Sequence, residues 1–123
     1  MLLVLDLLWR GYRVVLSTHS PIVLTAVWML RRLQEEKAGW QSVCDGFGVP
    51  RGRDLQKVAE TALTKDLATF LFTIDPKGRV TNKDISTLDP GDDDEDVSGW
   101  GGLTGFASSF GAAVRDAVNE HAP

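Results

Sequence analysis

The chain has 123 residues, of which 43% are hydrophobic and 24% are charged, and its formal net charge is −4 at pH 7. These values are ordinary for one globular domain, and no apolar run reaches the ~18 to 20 residues that a membrane helix needs. The start of the chain lacks the basic residues and small-residue cleavage site of a signal peptide. The single Cys44 excludes an intramolecular disulfide, and one cysteine with two histidines is too little for a zinc site. We therefore expect a cytoplasmic protein with no membrane partner.

The charge is distributed unevenly along the chain. Residues 1–88 have 12 basic and 9 acidic side chains, a balance of +3, whereas residues 89–123 have 1 basic and 8 acidic ones, a balance of −7. Six of these acids lie between Asp89 and Asp96. Neither balance is extreme enough to support a nucleic-acid partner. The acidic run lacks the ligand spacing of an EF-hand, so it predicts a solvated loop instead of a metal site.

The first forty residues have the pattern helix, strand, turn, helix. Leu2–Trp9 is apolar nearly all round, which predicts the end of a buried helix, with Gly11 in the left-handed position behind it. The segment from Tyr12 to Thr18 is short and β-branched, as is typical of a buried strand in a parallel sheet. Ser20 and Pro21 are a natural N-cap and first residue for a helix that extends to about Glu36.

The remaining elements follow from composition and turn signals. Four glycines and a proline between Gly39 and Arg53 predict a loop. Asp75–Gly78 has Pro and Gly where a hairpin turn needs them. The organisation predicted in this way is a helix–strand–helix unit at 1–37, a loop at 38–53, a helix from Asp54 to about Leu63 plus a β-hairpin within 54–88, an acidic loop at 89–99, and a C-terminal helix within 100–123. The strands of the hairpin are expected at Leu67–Ile74 and from Arg79, continuing over Asp84–Leu88.

The turn after the first predicted strand combines residue types that suit phosphate chemistry. His19 follows the strand and precedes a capped helix, which places it in the crevice where open α/β sheets bind ligands. A neutral imidazole can accept a hydrogen bond from water or donate one to a phosphate, and the helix start offers free N–H groups to an anion. On geometry alone, the alternative is a turn histidine with a satisfied hydrogen bond and no function.

The sequence from Gly11 to Pro21, Gly-Tyr-Arg-Val-Val-Leu-Ser-Thr-His-Ser-Pro, resembles the switch-histidine segment of ABC-type ATPases. The branch in question contains OLD-family and related AAA-annotated bacterial ATPases. The likeness covers Leu2–Leu33, and the hairpin, the segment 84–90 and Trp100–Thr104 resemble the C-terminal tail of some actinobacterial-type members. The resemblance implies an α/β fold, namely a partial P-loop NTPase (ABC-ATPase-like) sheet–helix unit followed by a β-hairpin and a C-terminal helix.

The resemblance also implies roles for four residues of this segment. His19 would be the catalytic histidine that approaches the γ-phosphate and the attacking water. Ser17 and Thr18 would help to place it beside the nucleotide, and Ser20 would cap the helix behind it. ATP and Mg²⁺ would be the cofactors of the complete parent enzyme, where catalysis depends on positioning and electrostatics.

The other motifs of such an ATPase are missing from this sequence. There is no G-x-x-x-x-G-K-[ST] loop to hold the phosphates, and the ABC signature is absent. Asp6 is excluded as a Walker B acid, because Leu7 follows it and only four residues separate it from Gly11, too few for a parallel crossover. We therefore expect the C-terminal part of a larger ATPase, inactive alone and without tight nucleotide binding. Its expected partner is an ATPase half encoded upstream, or a second copy.

Other patterns favour less specific interpretations. Ser17 and His19 on one strand are poorly placed as a nucleophile and base, and no nucleophile elbow is present. The alternative function is a non-enzymatic protein-interaction module, or a truncated remnant. Trp100-Gly101-Gly102 is expected to anchor the final helix, from Leu103 to about Glu120, near the helix Ile22–Leu33 or the strand Leu67–Ile74. The apolar face predicted for that final helix consists of Phe106, Phe110, Ala113, Val114 and Ala117.

Overall fold

The computed structural model describes residues 1–120, without the side chains of four positions in the last helix. The protein is a mixed α/β structure. Its helices are α1 (Leu2–Trp9), α2 (Pro21–Glu35), α3 (Trp40–Phe47), α4 (Arg53–Ala62), α5 (Glu95–Ser98) and α6 (Leu103–Glu120), and its strands are β1 (Phe70–Ile74) and β2 (Val80–Asp84). The chain divides into two compact units, the first ending at Ala68 and the second beginning at Thr69. This division falls inside the segment 54–88 that the sequence predicted as one part.

The first unit is helical throughout its regular structure. Helix α1 packs on α4, α3 packs on α4, and α2 packs on α3. The buried core consists of Leu5, Leu30, Val43, Cys44, Val58, Ala59 and Ala62. Two polar side chains of α2 bind the segment that follows α4. Gln34 donates hydrogen bonds to the carbonyls of Ala62 and Lys65, and Arg31 donates one to the carbonyl of Leu67. These bonds satisfy carbonyls at and beyond the end of α4 that its own helix leaves free.

The loop predicted for 38–53 is wrong over half its length, because α3 occupies Trp40–Phe47. Two of the four glycines that suggested a loop lie at the ends of the helix instead. Gly39 is its N-cap, and Gly48 is its C-cap in the left-handed conformation with φ 65°. Val43 and Cys44 are buried in the core of the unit. The third glycine, Gly46, lies inside the helix. Burial of the apolar face stabilises the helix by more than the low helix propensity of Gly46 destabilises it.

The strand predicted for Tyr12–Thr18 is also wrong. Residues 12–20 have no regular secondary structure, and no strand of the first unit pairs with them. Val15 is 98% exposed and Leu16 is 51% exposed, so the segment is neither paired nor buried. A β-branched sequence forms a strand only where neighbouring strands accept its hydrogen bonds, and none is available here. Helix α1 is likewise less buried than expected, since Leu5 is its buried residue and Leu3 is 70% exposed.

The second unit contains the predicted β-hairpin, and β1 and β2 form its two-stranded sheet. Strands β1 and β2 pair antiparallel, with Phe70 opposite Asp84 and Ile74 opposite Val80. The predicted turn is confirmed, because the Asp75 carboxylate accepts hydrogen bonds from the amides of Lys77 and Arg79. Strand β2 ends at Asp84, so its predicted continuation to Leu88 is wrong.

Beyond β2 the chain folds back to form a small core. Ile85 and Leu88 are buried, with Val97 of the four-residue helix α5. The amide of Ile85 donates to the carbonyl of Thr69, which brings the end of the hairpin over the start of the unit. Within residues 1–120, no helix is long and apolar enough to cross a membrane.

Candidate functional site

The segment from Ser17 to Pro21 leads directly into helix α2. Ser20 is the N-cap residue with φ −89° and ψ 119°, and Pro21 is the first helical residue, as predicted. The Ser20 hydroxyl makes no capping hydrogen bond. Instead, the Thr18 hydroxyl oxygen accepts a 2.9 Å hydrogen bond from the Ser20 amide. This local turn fixes the direction in which the chain enters the helix.

The four predicted site residues are only partly brought together. Thr18 and Ser20 are half-buried and joined by that hydrogen bond, whereas Ser17 and His19 are exposed to solvent. No hydrogen bond joins Ser17 to His19 in the described structure. The imidazole is therefore accessible to a ligand, but the first unit alone does not enclose it.

The first turn of α2 follows His19 directly and has free backbone N–H groups. The amides of Ile22 and Val23 belong to the N–H groups that an α-helix leaves without intrahelical partners, and Pro21 has no amide hydrogen. These groups and the helix dipole favour a negative charge. In the first unit, a hollow between α1, α3 and α4 is lined by apolar side chains such as Leu2, Phe47 and Leu55 and includes none of residues 17–20. Its lining also includes the buried thiol of Cys44 and has no charged side chain.

An ion cluster that sequence analysis did not predict lies in the second unit. Lys83 on β2 reaches two carboxylates, with Nζ 2.7 Å from Asp94 and 2.9 Å from Asp96. The hydrogen bonds that Lys83 donates to Asp94 and Asp96 raise the pKa of Lys83 to about 12, and the bond from Lys83 lowers the pKa of Asp94. The acidic segment is thus attached to the hairpin at two points. Asp94 and Asp96 lie 11 and 13 positions after Lys83 in the sequence, so no short sequence pattern could reveal these ion pairs.

The Asp94 carboxylate of the acidic segment already has partners within the protein. Across the described part of the chain, no group of three or more His, Cys, Asp or Glu side chains is arranged to hold a metal ion. The carboxylate of Asp94 also accepts a hydrogen bond from the amide of Asp96 as the N-cap of α5. Its oxygens therefore have partners within the protein, and the Lys83 ammonium supplies the local positive charge.

Trp100 has a structural role within the second unit. Its indole nitrogen donates a 2.9 Å hydrogen bond to the carbonyl of the buried Leu88. Gly101, at φ 67°, lies so close to Leu71 of β1 that an added Cβ would be 2.6 Å from that side chain. Gly101 thus lies beside the predicted strand, whereas Trp100 itself is bonded to Leu88, outside that strand. The side chains of Phe106 and Phe110, on the predicted apolar face of α6, lie outside the described residues.

Comparisons of the chain with family models, with curated proteins and with solved structures found no match.

Proposed function

We propose that the chain is the C-terminal part of an ABC-type, OLD-like ATPase and supplies the histidine that senses the γ-phosphate. The observation that supports this proposal best is the arrangement of Ser17-Thr18-His19-Ser20-Pro21 at the start of α2. His19 is accessible, the Thr18–Ser20 turn sets the entry into the helix, and Pro21 begins it. In this proposal the phosphate-binding loop and the Walker B acid belong to a second polypeptide or an upstream segment.

The exposed segment before His19 supports a partner of this kind. Tyr12, Val15 and Leu16 are 61%, 98% and 51% exposed, although their residue types are those of a buried strand. Pairing with strands of the partner would provide the missing hydrogen bonds and cover these side chains. The partial P-loop NTPase unit would then be completed on association, with Tyr12–Thr18 as one of its strands.

The chemistry assigned to the chain is positioning of water and phosphate. The His19 imidazole would accept a hydrogen bond from the attacking water or donate one to the γ-phosphate, while Ser17, Thr18 and Ser20 hold the turn beside the nucleotide. ATP and Mg²⁺ would bind to the complete assembly. One imidazole and a helix start offer only a few hydrogen bonds of ~1 kcal/mol each, whereas even millimolar binding needs about 4 kcal/mol. The isolated chain therefore binds nucleotide at best with millimolar affinity.

The test is reconstitution with the product of the reading frame that precedes this one in the DNA. We expect that frame to encode a Walker A and a Walker B motif and its product to form a complex with this chain. Mg²⁺-dependent ATP turnover should appear only in the complex and should fall by at least about a hundredfold with His19→Ala. The exposed Glu36→Ala at the other end of α2 is the matched control and should leave turnover unchanged.

Two results would contradict the proposal. The first is Mg²⁺-dependent turnover by the purified chain alone that follows the protein through purification and is lost with His19→Ala. The second is an upstream frame without nucleotide-binding motifs, whose product binds this chain equally well with and without nucleotide and with and without His19→Ala.

The second candidate function is a non-enzymatic interaction module. It is favoured by the apolar side chains that the first unit leaves exposed, among them Leu3, Val15 and Ile22, at 70%, 98% and 76%. Where exposed apolar side chains form one continuous patch, the patch is typical of a surface that binds another protein. In this case Val15→Asp should abolish partner binding, and His19→Ala should have no effect on any activity of the complex.

A further inference from the structure

The two faces of the β-hairpin differ in composition. Because side chains alternate along a strand, one face presents Phe70, Phe72 and Ile74 of β1 beside Val80 of β2, followed by Asn82 and Asp84. The four apolar side chains are called here the open face. The opposite face presents Leu71, Thr73, Thr81 and Lys83. The hairpin thus has three of its largest apolar side chains on one side.

The second unit packs on part of the less apolar face, where Leu71 is half-buried and Thr73 and Thr81 are exposed. Leu71 is half-buried against Gly101, and Lys83 is paired with Asp94 and Asp96 on the same side. The side chains of the open face are 52% to 73% exposed. A two-stranded hairpin is marginally stable in water until a second layer covers its apolar face. The fold therefore leaves uncovered the face that gains most from burial.

The area of the open face is close to what a weak dimer needs. With the exposed fractions above, the four side chains present roughly 450 Å², comparable to the largest apolar patch of a typical monomer. Two such faces packed together would bury about 900 Å² from these side chains alone. Stable interfaces begin near ~1,200 Å² in total, and the surrounding polar residues would supply the difference. The patch is thus large enough for an association of modest affinity.

We propose that two copies of the chain associate through the open face, with the two hairpins stacked about 10 Å apart around a two-fold axis. When the two β1 strands run in opposite directions, the apolar side chains of β1 face those of the other copy. Phe72 lies at the middle of β1, so it meets its own copy near the axis, and Phe70 of one copy lies over Ile74 of the other. Aromatic and β-branched contacts of this kind form the interior of β-sandwiches.

The charge distribution permits this arrangement. The acidic segment is held on the opposite face by Lys83, so its carboxylates lie on the outer sides of the stacked hairpins. Asp84, at the end of β2, is the acidic residue of the open side, and it lies at the exposed edge of the hairpin. The remaining repulsion between the two acidic units is long-range, and salt screens it. The dimer should therefore tighten when the salt concentration rises.

Cysteine cross-linking tests the geometry directly. In a Cys44→Ala background, Phe72→Cys should be linked to its copy by a short bismaleimide, because hairpins stacked about 10 Å apart hold the two thiols too far apart for a disulfide but within reach of such a linker. Thr73→Cys is the matched control, one residue along on the opposite face, and should remain uncross-linked under the same conditions. Equal cross-linking of the two variants, or none in either, would overturn the proposal.

Sedimentation of the unmodified chain tests the energetics. We expect a monomer–dimer equilibrium at micromolar to tens-of-micromolar protein that tightens with salt. Phe72→Asp should weaken it at least about a hundredfold, because each dimer would bury two carboxylates, whereas Thr73→Asp should change it less than threefold. A monomer at several hundred micromolar would overturn the proposal. A dimer that resists Phe72→Asp but is lost with Val15→Asp would also overturn it, because the contact would then lie in the exposed segment of the first unit.

Discussion

Replacement of Trp100 by alanine should open the small core of the second unit. The substitution removes two contributions that the structure makes visible. One is the 2.9 Å hydrogen bond from the indole nitrogen to the carbonyl of Leu88, a residue with no exposed surface. The other is the apolar contact of the half-buried indole ring. Loss of the bond costs about 1 kcal/mol, and loss of a fully buried tryptophan costs ~3 to 5 kcal/mol. For a partly exposed ring we expect about 3 kcal/mol in total.

Two further variants separate these contributions. Trp100→Phe keeps most of the apolar contact but leaves the Leu88 carbonyl without its donor, so it should cost about 1 to 2 kcal/mol. Trp100 has φ 51°, a conformation that glycine adopts without strain. Trp100→Gly should therefore destabilise the unit by about 1 kcal/mol less than Trp100→Ala, the reverse of the order expected where φ is negative.

Amide hydrogen exchange measures these effects within the second unit. The amides of Ile85 and Leu88 are hydrogen-bonded to the carbonyls of Thr69 and Ile85 and lie in the core. Since ~1.4 kcal/mol corresponds to a factor of ten, Trp100→Ala should accelerate their exchange more than a hundredfold and Trp100→Phe about tenfold. Trp9→Ala, in the first unit, is the control and should leave both amides unchanged. Unchanged exchange in Trp100→Ala would show that Trp100 does not stabilise this core.

Three further outcomes follow from the structure. Because Asp94 and Asp96 raise the pKa of Lys83 to about 12, the ion cluster stabilises the fold fully below the ordinary lysine pKa and loses its effect as the pH rises towards 12. The free energy of unfolding of the second unit, measured in urea, should therefore fall over that interval, and Lys83→Met should remove this part of the pH dependence. Cys44 is 1% exposed, so a water-soluble thiol reagent should modify it at the rate of unfolding, and immediate modification of the native chain would contradict its burial. Leu30→Ala, at a core position that is 2% exposed, should destabilise the first unit by about 2 to 5 kcal/mol in urea denaturation and should increase the rate of Cys44 modification.

The elements that could be predicted from the sequence are those with strong local signals. Helix α2 begins with Ser20 and Pro21, and the hairpin turn has Asp75, Pro76 and Gly78 at positions that suit it, so both were found within a few residues. Helix α3 is not predicted by composition, because Gly39 and Gly48 favour a loop in a sequence pattern. In the structure they are the N-cap and the C-cap of the helix. Its apolar pattern, Trp40 with Val43 and Cys44 and then Phe47, was the signal that could have found it.

The errors at Tyr12–Thr18 and in the acidic segment have a different cause. Whether a β-branched segment forms a strand depends on partners elsewhere in the fold, and the sequence of the segment does not contain that information. The same holds for Lys83, whose partners lie 11 and 13 residues away. For the candidate site, the turn at Thr18 and Ser20 follows from local chemistry. The exposure of the His19 side chain depends on which other segments pack against the turn, and the local sequence does not contain that information.

The turn between β1 and β2 also has a consequence for the order of folding. The Asp75 carboxylate binds the amides of Lys77 and Arg79 and the Arg79 side chain, and the backbones of Asp75 and Arg79 are joined as well. All of these bonds lie within five residues, so closing the loop costs little chain entropy. Hairpins form in ~1 to 10 μs, whereas the contact of Ile85 with Thr69 requires a longer loop to close. The hairpin should therefore appear first in a refolding experiment, and the core around Leu88 should then pack against the hairpin that has already formed.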